Sequence, residues 1–199
     1  RVIACHFQHR GRALPAFRYD QGEGYDYFDE AGQSLRKAFL KSPVEFSRIS
    51  SHYNLKRFHP ILQKTKAHYG TDYAAPKGTP ILAVGDGVVS KSSYTKGNGK
   101  YVKIRHNKTY ETQYLHMSRR AVSAGESVKQ GQVIGYVGST GLATGPHVCF
   151  RFWKNGKQVN HLREEFPPST PIEKEKMNAF QATVQELSTA ISALSVARK

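Results

Sequence analysis

Short stretches of alternating apolar and polar residues fill the middle of the chain, from residue 44 to residue 165. Examples are residues 100–105 and 110–114, and glycine-rich segments such as Gly85-Asp86-Gly87 and Gly97-Asn98-Gly99 separate such stretches. Alternation with a period of two is typical of strands with one buried face, and the glycines predict hairpin turns. No helical pattern is interleaved with these strands. We therefore predict a mainly β fold, an antiparallel sheet folded into a groove or partial barrel.

The C-terminal tail follows a helical pattern instead. Apolar residues recur there at spacings of three and four: Met177, Phe180, Val184, Leu187, Ile191 and Leu194. This stripe predicts an amphipathic helix. Its heptad register also fits a dimeric coiled coil, but three heptads are few. We expect the helix to pack on the β structure of its own chain, and the protein to be a monomer.

The N-terminal part is short, aromatic and broken by glycines. Residues 2–7 and 16–19 predict strands, and Gly22, Gly24 and Gly32 mark turns. We therefore divide the chain into a partial accessory β region with a linker (1–43), a central domain (44–165) and a C-terminal amphipathic helix (166–199). Arg1 and the residues after it are not a natural initiation sequence, so we expect a fragment or a processed form.

The composition restricts the class of partner. The 199 residues include 30 Lys and Arg against 15 Asp and Glu, a net charge of +15, which favours an anionic polymer. No nucleic-acid-binding signature accompanies this charge, so nucleic acid is not the expected partner. No run of about 18 apolar residues is present, so we predict no membrane-spanning segment. Cys5 and Cys149 are too few for a disulfide framework.

Candidate metal-binding and proton-transfer residues occur on three of the predicted strands. His147 and Cys149 are two apart, and His68 and Asp72 are four apart, so each pair shares one face of an extended strand. His116 ends a third strand-like run. His, Asp and Cys are all accepted zinc ligands, and three protein ligands with an open fourth position describe a catalytic site. Two further histidines would supply proton transfer and oxyanion stabilisation.

These motifs stand in the order His68-x-x-x-Asp72, Tyr114-Leu115-His116 and Thr144-Gly145-Pro146-His147. In this order they resemble the lysostaphin-type, or LytM-type, zinc metallopeptidases, which cut peptide cross-links in the peptidoglycan of bacterial cell walls. The resemblance runs from about residue 46 to about residue 162, and the layout is closest to the Gram-negative murein D,D-endopeptidases. It implies one zinc ion with His68 and Asp72 as two of its ligands, and His116 and His147 as the catalytic histidines.

The third ligand of that family is a histidine two residues after the position of His147, where this chain has Cys149. As a thiolate, Cys149 is a good zinc ligand, although it makes the zinc a weaker Lewis acid. Alternatively the domain binds zinc poorly and persists as a non-catalytic scaffold, or Cys149 is simply a small buried apolar residue. We favour Cys149 as the third ligand, since the other four site residues are all present.

The resemblance implies a zinc-dependent endopeptidase that hydrolyses peptide cross-links of peptidoglycan with a zinc-activated water. We expect D,D cross-links between D-Ala and a diamino acid rather than polyglycine bridges, and a location in the cell envelope, either periplasmic or secreted to the wall. The alternative is a catalytically inactive LytM-type scaffold that binds peptidoglycan or regulates an amidase. Tyr94, Tyr114 and Thr144 are candidates for the lining of the substrate groove, although a tyrosine on a strand is more often part of ordinary packing.

Overall fold

The structure is a computed structural model that describes residues 2–9, 12–22, 24–45, 47–59, 64–166 and 168–196. The chain forms two compact units, one of residues 1–38 with 166–199 and the other of Phe39–Glu165. The sequence predicts residues 166–199 as a segment of their own. In the structure they share a unit with the N-terminal residues, because the helix buries its apolar stripe there.

The smaller unit is a three-stranded antiparallel sheet with one helix. Its strands follow the chain order: Ala4–His9 (β1), Arg12–Asp20 (β2) and Tyr25–Phe28 (β3). The helix α1 spans Met177–Val196, after a 3-10 turn at Lys174–Lys176.

The helical stripe and the sheet form the core of this unit. Phe180 and Val184 of α1 are buried with Phe17 and Phe28 of the sheet and with Ile172, and Met177 and Leu187 pack against this cluster. The predicted C-terminal helix is therefore confirmed, and it packs on β structure of its own chain. The side chain of Leu194 lies outside the described residues. Among the helices in the described ranges, none is both long and apolar enough to cross a membrane.

The larger unit is built almost entirely from strands. In chain order they are Arg48–Ser51 (β4), Asn54–His59 (β5), Lys64–His68 (β6), Thr71–Ala74 (β7), Pro80–Leu82 (β8), Gly87–Thr95 (β9), Gly99–Arg105 (β10), Tyr110–Met117 (β11), Arg119–Arg120 (β12), Ser127–Val128 (β13), Val133–Tyr136 (β14), His147–Lys154 (β15) and Lys157–Val159 (β16). A 3-10 turn follows at His161–Arg163.

One large sheet organises this unit. Its strand order is β13-β9-β10-β11-β15-β7-β4, and β16 pairs with β15 beside that path. A three-stranded sheet, β12-β14-β8, and the hairpin β5-β6 complete the unit. Every pair is antiparallel. The mainly β, antiparallel fold class predicted from the alternating pattern is confirmed.

The core lies against the face of β15 that carries Val148, Phe150 and Phe152, each at most 1% exposed. Tyr114 is also fully buried, and its hydroxyl accepts a hydrogen bond from the backbone N–H of Val84 at 3.0 Å. Of the two alternatives for Tyr114, groove lining and ordinary packing, the structure therefore supports packing. A tyrosine on a strand serves equally well as core when a backbone donor satisfies its hydroxyl.

Of the two hairpin turns predicted at glycine-rich segments, one is confirmed and the other is wrong. Residues 97–99 connect β9 to β10 as an antiparallel hairpin, as expected. Residues 85–87 do not form a hairpin turn, since β8 pairs with β14 whereas β9 pairs with β10 and β13. The second segment instead carries the chain from one sheet to another. Local turn composition does not specify which strand becomes the partner.

Phe180 tests the contribution of the helix to the smaller unit. Its ring is fully buried, with ring centroids 5.3 Å from Tyr19 and 5.9 Å from Phe28. We expect Phe180→Ala to lower the free energy of unfolding by about 3–5 kcal/mol, because it leaves a cavity among apolar side chains. The measurement is urea unfolding followed by circular dichroism. Gln185→Ala on the exposed side of α1 is the control, expected within about 0.5 kcal/mol of the parent. Equal losses in both variants would contradict the packing described.

Candidate metal centre

The pairing of β7 with β15 brings two of the predicted metal ligands together. In the register of these strands Cys149 lies directly opposite Asp72, and His147 lies opposite Ala74. His68, the last residue of β6, completes the group. One donor atom from each of His68, Asp72 and Cys149 lies within 4.8 Å of the other two, and all three residues are buried. His68 Nε2 is 3.0 Å from Asp72 Oδ1 and 3.4 Å from Cys149 Sγ.

His68 and Asp72 do not lie on one strand, so that part of the prediction is wrong. The chain bends at Tyr69-Gly70: β6 pairs with β5, whereas β7 pairs with β15 and β4. Gly70 allows this bend, since a Cβ atom there would lie 2.8 Å from the carbonyl oxygen of Phe150 and 2.9 Å from Cys149 Sγ. The bend, and not a shared strand face, directs both side chains to one point.

The histidines of the site share one hydrogen-bonding pattern. Each donates its Nδ1–H to a backbone carbonyl: His68 to His52 at 3.1 Å, His116 to Thr140 at 2.8 Å and His147 to Gly145 at 2.8 Å. A carbonyl only accepts, so the proton of the neutral imidazole is held on Nδ1. In His116 and His147, Nε2 therefore presents a lone pair, the form needed for a proton acceptor. His68 Nε2 instead lies 3.0 Å from Asp72 Oδ1, and the proton that it donates to this carboxylate must leave when a metal ion binds.

His116 and His147 flank the group of three donors. Their ring centroids are 4.8 Å apart, and His147 Nε2 lies 4.0 Å from Asp72 Oδ1. His116 is the last residue but one of β11, and its φ of +63° lies in the left-handed region. Its backbone N–H donates to the carbonyl of Asn98, so the β9–β10 turn supports this unusual backbone conformation.

The charged states of the site follow from burial and from the neighbouring groups. Burial alone would raise the pKa of Asp72, but the hydrogen bond from His68 and the nearby positive charge of His68 and His147 outweigh it and lower that pKa to about 2. Burial lowers the pKa of His116 to about 4, so this imidazole is neutral at neutral pH. Burial, with the charge of Asp72, raises the pKa of the Cys149 thiol to about 12. A metal ion binding here must displace the thiol proton.

Arg151 belongs to this group and was not predicted. It lies two residues after Cys149 on the same face of β15. The Cβ position of Gly70 would lie 2.9 Å from Cys149 Sγ and 3.1 Å from Arg151 Cγ, so both side chains border the same bend. Burial is the main influence on the thiol pKa, and the charge and hydrogen bond of Arg151 oppose it. The strand alternation that groups His147 with Cys149 would also have indicated Arg151.

Of the residues expected to line the groove, Tyr94 and Thr144 are exposed. The five predicted site residues are thus brought together, three as a compact donor group and two histidines beside it. Their individual roles remain a prediction at this point.

Comparison with known proteins agrees with the geometry. The model of peptidase family M23 matches residues 66–161, which include every donor and both flanking histidines. The catalytic domain of the prophage-encoded M23 protein EnpA from Enterococcus faecalis is 38% identical, with a TM-score of 0.54, over 62% of this chain and 95% of that domain. The chain belongs to peptidase family M23.

Longer relatives of family M23 match more of the chain. The peptidoglycan DD-endopeptidase ShyC of Vibrio cholerae is 47% identical over 93% of this chain and 42% of its own length. A zinc-containing peptidase from Vibrio cholerae, known from its crystal structure, is 36% identical with a TM-score of 0.63, over 84% of this chain and 51% of that one. The chain thus spans about two fifths of the length of ShyC and 43% of that of a second curated relative, the DD-endopeptidase ShyA of the same organism.

The contact between Gly99 and Thr140 tests how His116 is held. Gly99 has φ of +64°, and a Cβ atom there would lie 2.2 Å from the Thr140 carbonyl oxygen, the acceptor of the His116 Nδ1–H. We expect Gly99→Ala to cost about 1–3 kcal/mol of stability and to shift or broaden the NMR signal of the His116 Nδ1 proton, because the carbonyl must move. Gly97→Ala is the control, since a Cβ there meets nothing within 4 Å. The same thermal shift and histidine spectrum in both variants would refute this role of the contact.

Arg151 is expected to strengthen metal binding by placing a positive charge beside the thiolate. Arg151→Gln should weaken zinc binding by about tenfold, as loss of a group that hydrogen-bonds a metal ligand commonly does, while Arg151→Lys should retain part of the affinity. Competition with a chromophoric chelator measures the dissociation constant. Arg105→Gln, at an exposed position of β10, is the control. An unchanged dissociation constant in Arg151→Gln would show that the guanidinium does not act on the ligand.

Proposed function

We propose that this chain is the zinc-dependent endopeptidase part of a peptidoglycan hydrolase that cuts peptide cross-links. The observation that carries the proposal is the buried group of His68, Asp72 and Cys149, flanked by His116 and His147, in a chain of family M23. This arrangement supports a metal centre with proton-transfer groups beside it, and not a purely structural site.

Zinc fits the donor group. Bond lengths of about 2.0–2.3 Å imply ligand atoms about 3.3–3.6 Å apart in a tetrahedral site. The separations from His68 Nε2, 3.0 Å to Asp72 Oδ1 and 3.4 Å to Cys149 Sγ, are close to these values. A neutral imidazole, an ionised carboxylate and a sulfur are all zinc ligands. When bound, zinc supplies Lewis-acid polarisation of the scissile carbonyl and lowers the pKa of a bound water.

The two flanking histidines are the groups that can accept and return the proton of the attacking water. Both hold their own proton on Nδ1, so each Nε2 can accept one. His116 or His147 takes the proton of the attacking water, and the imidazolium formed can return it to the leaving amine. The second histidine lies 4.8 Å away, measured between ring centroids, and in its doubly protonated form it donates its Nε2–H to the oxyanion. The carbonyls of Thr140 and Gly145 hold both rings in the orientation that this transfer requires.

Cys149 and Arg151 together set the charge of the centre. A thiolate in place of an imidazole adds one negative charge to the donor group, which weakens the electrophilic character of a bound cation. Arg151 returns one positive charge on the same strand face. We infer that this pair keeps the net charge of the site near that of a site with two histidines and one aspartate.

The substrate we propose is a D,D cross-link of peptidoglycan. Support comes from ShyC, ShyA and ShyB of Vibrio cholerae, which are named peptidoglycan DD-endopeptidases, and from Mpg of Neisseria meningitidis, a DD-carboxypeptidase/endopeptidase. The net charge of +15 favours a carboxylate-bearing polymer. The location that follows is the cell envelope, and we propose that the chain acts as a monomer.

The deciding experiment compares wild type with Cys149→Ala and Cys149→His. Zinc per chain is measured together with cleavage of cross-linked muropeptide dimers. We expect one zinc per wild-type chain with cleavage, loss of both in Cys149→Ala, and retention of both in Cys149→His. Cys5→Ala is the control and is expected to behave as wild type.

Cobalt substitution gives a readout that does not depend on cleavage. Wild type should show a sulfur-to-cobalt charge-transfer band, and Cys149→His should bind cobalt without that band. If zinc-supplemented wild type neither binds zinc nor cleaves, the enzyme proposal fails and the inactive scaffold that binds peptidoglycan or regulates an amidase replaces it.

A further inference from the structure

A concave surface of the larger unit gathers three cationic side chains outside the donor group. Its volume is about 490 Å³. The lining combines cationic, hydroxyl-bearing and small residues: Lys100, Arg119, Arg120, Ser92, Ser123, Ala121, Val122 and Ala124. We call this surface the cationic cavity. It is formed where β12 lies beside β10 and β9.

Neutral groups orient the three cations. Lys100 Nζ donates to the carbonyl of Ser118 at 2.9 Å, and Arg120 Nη1 lies 3.5 Å from Ser92 Oγ. The guanidinium carbon of Arg119 lies 4.2 Å from the ring centroid of Tyr136. These contacts restrict the side chains without neutralising their charge.

No carboxylate of the described residues lies within 4.0 Å of any of these three cationic groups. Other lysines of the unit do have such partners, for example Lys103 with Glu111 and Lys154 with Glu164. Glu126, near the rim, accepts a hydrogen bond from the backbone N–H of Ser123 at 3.0 Å. The cavity therefore holds three like charges whose mutual repulsion a bound anion would relieve.

The donor chemistry indicates the class of ligand. A guanidinium presents N–H groups in a planar fork that matches a carboxylate or a phosphate, and the ammonium of Lys100 keeps donors beyond the one given to Ser118. The apolar side chains of the lining are the small ones of Ala121, Val122 and Ala124. The cavity is suited to an oxyanion on a polymer or peptide.

The cavity is connected to the candidate metal centre through the backbone. Lys100 follows Gly99, whose neighbour Thr140 orients His116, and the Lys100 N–H donates to Thr140 Oγ1 at 2.9 Å. Arg119 follows His116 by three residues. The strand register places Ser92 on the face of the large sheet that carries Val102, Tyr114 and Phe150, opposite the face of Cys149, so a ligand in the cavity would lie away from the donor group.

We infer that the cationic cavity binds a free carboxylate of the peptidoglycan strand whose cross-link is cut, and so anchors the polymer to the larger unit away from the metal centre. This inference rests on the proposed function. It assigns Arg119 and Arg120 as binding residues that contact a part of the polymer away from the scissile bond.

The test measures binding of zinc-loaded protein to purified sacculi by pelleting. A His116→Ala background keeps the sacculi intact during the measurement. Arg119→Gln with Arg120→Gln is compared with Lys91→Gln with Lys108→Gln, which removes the same charge from exposed positions outside the cavity. Zinc per chain reports whether the metal centre is intact in each variant.

We expect the arginine variant to bind about tenfold more weakly than the lysine variant, because it loses charge-assisted hydrogen bonds as well as charge. On sacculi whose carboxylates have been amidated, the two variants should bind equally. Equal binding to untreated sacculi, with zinc retained, would overturn the inference. The inference would also be overturned if the arginine variant still bound amidated sacculi more weakly than the lysine variant and added inorganic phosphate removed this difference in binding. The cavity would then be a phosphate site.

The outcome is separable from that of the proposed function. Loss of binding specific to the arginine variant, in a protein whose wild type does not cleave muropeptides, would retain the cavity as a peptidoglycan site and reject the enzyme. If wild type cleaves muropeptides but the arginine and lysine variants bind sacculi equally, the enzyme is retained and the cavity is rejected as a peptidoglycan site.

Discussion

The candidate site depends on one backbone constraint, the antiparallel pairing of β7 with β15. In that register Asp72 and Cys149 are direct cross-strand neighbours, so their side chains are held on one face of a continuous sheet. The opposite face of β15 carries Val148, Phe150 and Phe152 into the core. A slip of one residue would bury the polar face and expose the apolar one, so core packing protects the geometry of the donor group.

Close backbone approaches add the remaining residues to this pair. Gly70 lets the chain bend against β15, which brings His68 onto the donor group. Gly138 lies where a Cβ would be 2.3 Å from the backbone nitrogen of Ser118, and Gly99 makes a comparable contact with Thr140. At these points a side chain would separate the segments that support the histidines. These three glycines are therefore part of the construction of the site and not only turn residues.

Burial shifts the pKa values of the side chains in the candidate site. It lowers the pKa of His116 and raises that of Cys149, whereas the charges around Asp72 keep its carboxylate ionised. The metal-free centre thus contains a neutral thiol and a carboxylate hydrogen-bonded to His68, while the Nδ1–H of each histidine is donated to a backbone carbonyl. A divalent cation can bind to this centre when it replaces the thiol proton of Cys149. Arg151 is the one additional charge on that strand face, and it moderates the cost of forming a thiolate there.

The sequence by itself determined the fold class and the C-terminal helix, and it selected the five candidate site residues that the structure brings together. Those features depend on local periodicity and on motifs with fixed spacing, such as the alternation around His147 and Cys149. It did not determine that Tyr114 is core, that residues 85–87 pass between sheets, or that His68 and Asp72 lie on different strands. Each of these depends on which strands pair, and pairing joins segments far apart in the chain. The contacts of Arg151 with the bend at Gly70 and the grouping of Lys100, Arg119 and Arg120 in one cavity are likewise tertiary, because only the folded sheets bring those side chains together.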